Sequence, residues 1–65
     1  MTSTGSIQFV DRDSRSDGWI GVRVEGDTIG LATSVIANGD IEVFFGKTEA
    51  EALRDALAAA LELLP

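Results

Sequence analysis

The 65-residue chain contains no cysteine, no histidine and no tyrosine, and only one proline and one tryptophan. Without cysteine there is no disulfide to staple a small fold. Without cysteine or histidine, the usual ligands of a structural zinc site are missing too. General acid–base chemistry near neutral pH draws first on histidine, with cysteine and tyrosine among its substitutes, and all three are absent. A serine or threonine nucleophile would need an activating base, and the only lysine, Lys47, sits at a junction where a solvated role is expected. The segments "GDTIG" and "NGDIEVFFG" lack the lysine and the strand-to-helix context of a phosphate loop. These absences predict a protein that is not an enzyme and that carries no cofactor or metal.

Long apolar runs are also missing. The longest, near Ala56 to Leu64, contains Glu62 and is too short to span a bilayer. Met1 to Ser6 is polar, without the basic start and apolar run of a signal peptide, so a cytoplasmic location is expected. Positive charge is scarce: five Lys and Arg face eleven Asp and Glu, for a net charge of −6. That balance disfavours direct binding to nucleic acid or an anionic membrane, where Lys and Arg supply most of the affinity. It permits a basic protein partner.

What is present describes a folded domain. Hydrophobic residues make up 45% of the chain, against the composition of a disordered acidic tail. A domain of this size buries only about 60% of the surface its unfolded chain exposes. Its single core rarely supplies more than about 3–5 kcal/mol. With disulfides and zinc excluded, self-association is the remaining support, and a homodimer is the commonest form it takes.

Residues 1–6, "MTSTGS", read as a flexible lead-in to a single domain over residues 7–65. Apolar runs rich in β-branched residues predict strands near Ile7–Asp11, Trp19–Glu25, Thr28–Ile36 and Ile41–Gly46. "EGDT" and "ANGD" supply the glycine and Asn or Asp of tight hairpins. "TEAE" (Thr48–Glu51) reads as a capping box, with Thr48 as the cap and Glu51 reaching back. The helix that follows places Leu53, Leu57, Ala60, Leu61 and Leu64 on one stripe. The expected fold is α+β: a four-stranded antiparallel meander with one C-terminal helix packed on one face.

The segment "GKTEAEALRDALAAAL" resembles the point where the last strand of HicAB-type antitoxins enters its helix, with Thr48, Glu49, Glu51, Ala52 and Leu53 approximating that family's helix start. The resemblance spans about a quarter of the chain. The family's Pro-rich strand connection and its added DNA-binding region have no counterpart, and the strand count differs.

One helix covers one face of a sheet, and strand residues alternate between faces. Ile20, Val22 and Val24 form the natural core side of the second strand, which leaves Trp19, Gly21, Arg23 and Glu25 on the other. A two-residue Gly26–Asp27 turn sets Gly21 opposite Ala32, Arg23 opposite Gly30 and Trp19 opposite Ser34. For the last hairpin, a two-residue Asn38–Gly39 turn would carry Ile41, Val43 and Phe45 to the Trp19 face. A three-residue Ala37–Gly39 loop with Gly39 left-handed would instead pair Val35 with Ile41 and Leu31 with Phe45. The second keeps the aliphatics together under the helix and is favoured. It places Ile36 and Phe44 on the outer face with Trp19, Gly21, Arg23, Ala32 and Glu42.

The stretch "DRDSRSDGW" (residues 11–19) has the look of a metal loop, but both calcium-loop frames put Arg15 at a ligand position and lack the closing glutamate. It reads as a solvated hairpin connection that delivers Trp19, with Arg12 and Arg15 as candidate polar contacts. Two functional expectations follow. The first is a non-enzymatic interaction module that self-associates through the outer face around Trp19, Ile36 and Phe44. The second is a small acidic inhibitor, of the antitoxin, immunity or anti-defence kind, that occupies the nucleic-acid-binding site of a basic partner.

Overall fold

A computed structural model describes residues 2–65. Four strands, β1 (Thr2–Val10), β2 (Asp17–Glu25), β3 (Thr28–Val35) and β4 (Gly39–Phe45), precede one helix, α1 (Lys47–Leu63). The strands form one antiparallel sheet in the order β1-β2-β3-β4, and α1 rests against β3. This is the α+β meander-plus-helix expected from the alternating and helical periods of the sequence.

The β2–β3 hairpin follows the expected register, with Trp19 opposite Ser34, Gly21 opposite Ala32 and Arg23 opposite Gly30. Gly26 takes the positive φ of +61° that a two-residue turn of this kind requires, and the Thr28 hydroxyl donates to the Glu25 carbonyl at 2.8 Å. The β3–β4 hairpin keeps the expected faces but not the expected pairs. Val35 pairs with Gly39, Leu31 with Val43 and Ile29 with Phe45, two residues away from the Val35–Ile41 and Leu31–Phe45 pairing. The loop is Ile36, Ala37 and Asn38. The Asn38 N–H donates to the Val35 carbonyl at 2.9 Å, and Gly39 follows at φ +86° as the first residue of β4. Gly39 is left-handed as expected, but it joins the ladder instead of closing the loop. A shift of two residues preserves every side chain's face, because the strand period is two.

Two further expectations are corrected. Thr2–Ser6 is not a flexible lead-in: it extends β1, pairing Thr2 with Val24 and Ser6 with Gly21 across an irregularity between Ser3 and Gly5. Met1 lies outside the described residues. Small polar residues give no hydrophobic alternation, so backbone pairing to an exposed edge of β2 recruits this segment without a sequence signal. The helix cap also moves. Gly46, extended at φ −88° and ψ −177°, is the N-cap, and its N–H donates to Glu49 Oε1 at 3.0 Å. Glu49 rather than Glu51 reaches back, and Thr48 lies inside the first turn. The strand ends at Phe45 and the chain turns at once, which leaves Thr48 too late to cap.

Gly39→Ala is expected to cost about 1 kcal/mol, the penalty of a left-handed φ for a residue with a Cβ. Gly5→Ala, where an added Cβ meets nothing within 4 Å, is the neutral comparison. Urea denaturation of both variants at one protein concentration checks the difference; equal midpoints would refute the left-handed assignment.

Candidate interaction surfaces

The sheet presents two unlike faces. On the outer face, two glycines remove side chains where large neighbours lie flat. The Trp19 ring covers Gly21, where a Cβ would come 2.6 Å from Trp19 Cζ3. One row over, the Phe44 ring and the Arg23 stem close over Gly30, where a Cβ would fall 2.7 Å from Phe44 Cε2 and 3.2 Å from Arg23 Cγ. Gly30 is the one buried residue among the described residues.

Polar groups on this face are paired across strands. Arg23 Nη2 donates to Glu42 Oε1 and lies 2.9 Å from Oε2, while its guanidinium sits 5.3 Å from the Phe44 ring centroid. The ion pair is partly exposed and contributes about 0–1 kcal/mol. The cation–π contact adds about 0.5–1 kcal/mol. Ser34 Oγ donates to Asp40 Oδ1 on the neighbouring strand. Trp19 and Phe44 still leave 41% and 47% of their surfaces to solvent.

Trp19, Gly21, Arg23, Ala32, Phe44 and Glu42 therefore share one patch, as the alternation predicted. Ile36 belongs to the β3–β4 turn, 80% exposed, and reaches the patch only at its end, beside Trp19, Gln8 and Ser34 in a shallow depression. Arg12 and Arg15 belong to the β1–β2 connection. Ser6 and Ser34 lie on the same outer face and were not singled out from sequence, because small polar strand residues carry no signal of their own.

The connection over residues 11–16 is organised by Asp11. Its carbonyl accepts the Arg15 N–H at 2.8 Å, its own N–H donates to the Ser16 carbonyl at 2.8 Å, and its Oδ2 accepts the Ser14 N–H at 2.8 Å. Arg15 takes a left-handed φ of +65° to close the loop. Hydrogen bonds from the Ser14 backbone, and then from the Ser14 side chain, hold the Asp11 carboxyl below the ordinary value of 3.8. Among the described residues, no three His, Cys, Asp or Glu side chains gather as metal ligands.

The helix-side face is different in kind. Ile7 and Phe9 on β1, Ile20 and Val22 on β2, Leu31 on β3 and Val43 on β4 all point to it. Among the described residues, no hydrophobic side chain is buried. Exposure climbs along the helix stripe, from 38% at Leu53 through 57% at Leu57 to 67% at Leu61. The helix is thus anchored at its start and stands away from the sheet toward its end. Between helix and sheet lies an open apolar cleft of about 520 Å³, with Val22, Leu31 and Phe45 on one wall and Leu53, Leu57 and Leu61 on the other. Sequence periodicity found both walls but could not show that they fail to meet. No helix among the described residues is long and apolar enough to cross a membrane.

Two measurements test this geometry. Gly21→Ala should lift the indole off the sheet and shift Trp19 emission to the red; unchanged emission would mean the ring does not lie over Gly21. In a carboxyl NMR titration, Asp11 should have its midpoint below 3.8. Because the folded value is depressed, its stabilisation is present above the unfolded value and is lost as pH falls through the folded one. A midpoint at or above 3.8 would refute the Ser14 contacts. No family model matches the chain, and no curated protein or solved structure resembles it significantly.

Proposed function

We propose that the protein is a cytoplasmic, non-enzymatic protein-interaction module whose working form is a homodimer. The observation that carries this reading is the absence of a closed core among the described residues. The chain exposes 5188 Å². A compact monomer of 6.9 kDa exposes about 4,000 Å² by the usual size scaling. The radius of gyration is 13.0 Å, where about 11 Å is usual for 65 residues. An ordered sheet and helix that together bury so little derive their stability from association, and the folded state then depends on protein concentration.

Sedimentation equilibrium over a dilution series from millimolar to low micromolar tests the proposal. The expected mass is twice 6.9 kDa, with a thermal midpoint that rises with concentration. A folded monomer at low micromolar concentration, with a midpoint independent of concentration, would overturn it.

A further inference from the structure

The self-association proposed above could use either face of the sheet. We propose that it uses the helix-side face, and that its occupant is a second copy of this chain, with the distal half of each helix laid into the cleft and over the uncovered sheet of the other. Three observations carry this assignment.

The first is area. The chain exposes about 1,200 Å² more than a compact monomer of its mass. Removing that excess from each of two copies buries about 2,400 Å², the size of an obligate homodimer interface and well above the roughly 1,600 Å² of a standard complex. On the helix side, Leu57, Leu61 and Leu64 of the helix and Ile7, Ile41 and Val43 of the sheet are all exposed, against Val10, Trp19, Ile36 and Phe44 elsewhere.

The second is complementarity. The walls of the cleft reach no further along the sheet than Val22 and Leu31, so the end of the face holding Ile7 and Ile41 lies beyond the protein's own helix. Each copy thus has an apolar helix stripe separated from its own sheet by an open cleft and an apolar sheet end that the cleft does not reach. A twofold axis satisfies both needs with one contact repeated, as an isologous interface requires.

The third is charge. Among the described residues, Arg54 is the one charged residue lining the cleft, although the chain carries a net −6. The acidic groups lie off this face, so two copies meet without burying like charges. Depletion of charge at the centre is the mark of an obligate interface. The outer face differs: Arg23, Glu42 and Asp40 are held there in pairs, and Trp19 and Phe44 already rest on their glycines.

The test uses the full-length protein and the absence of native cysteine. Ile41→Cys and Leu61→Cys chains, one carrying a mass tag, are refolded together and oxidised. The expected product is a mixed disulfide between the two variants at least tenfold in excess of that from a Gln8→Cys and Ser34→Cys pair on the outer face. In parallel, Leu61→Glu should abolish the dimer in sedimentation, leaving an unfolded monomer, while Trp19→Ser should leave the dimer mass unchanged. A dimer that survives Leu61→Glu, or dominant cross-linking of the outer-face pair, would overturn the helix-side assignment and leave the homodimer standing. A wild-type chain that sediments as a folded monomer would remove both.

Discussion

Coverage of a four-stranded sheet by a single helix is the constraint on which the rest of this structure depends. Strands about 4.8 Å apart make such a sheet about 19 Å wide with its edges. A helix with its side chains is about 10 Å across. One helix therefore shields about half of the face beneath it, even when it lies flat along the middle. Here α1 leaves β4 after a single junction residue, Gly46, and its stripe becomes more exposed from Leu53 to Leu61. The apolar stripe of the helix and the apolar face of the sheet are each well formed, and each remains largely without a partner.

The two faces solve the same problem differently. On the outer face, glycine at positions 21 and 30 lets large side chains lie down on the backbone, so Trp19, Arg23 and Phe44 find contacts within their own chain. Cross-strand pairing of Arg23 with Glu42 and Ser34 with Asp40 satisfies the polar groups between them. The helix side has no such device. Its side chains are aliphatics with Phe9 and Phe45, which gain by burial against other apolar groups. An interaction module that closes this face by pairing would present the Trp19 face outward twice, on opposite sides of the dimer. The net charge of −6 would be doubled with it.

Much of the fold was legible because it rests on local rules. Alternation identified the inward and outward residues of β2 and β3, and the Gly26–Asp27 turn set their register. The β3–β4 pairing missed by two residues because "ANGD" offers more than one loop that keeps the aliphatics together, and hydrophobicity alone cannot separate registers of the same parity. Thr2–Ser6 gave no signal because its place in β1 comes from hydrogen bonds to β2, which any sequence without proline can make. The helix start moved from Thr48 to Gly46 because the end of a strand, a tertiary feature, decided where the helix could begin.

The candidate surfaces divide in the same way. Clustering of Trp19, Gly21, Arg23, Ala32, Glu42 and Phe44 on one face follows from strand parity and turn length, both readable from the residues in order. The exposure of Leu57, Leu61, Ile7 and Ile41 does not. Periodicity states which side chains seek burial, but whether they find it depends on the angle at which the helix leaves the sheet and on the width it must cover. The sequence by itself determined the elements, their order and the composition of each face. Only the tertiary structure decided that Trp19 and Phe44 rest on the backbone of their own sheet while the helix stripe stands off the other face, because burial is a property of distances between elements that are far apart in the chain.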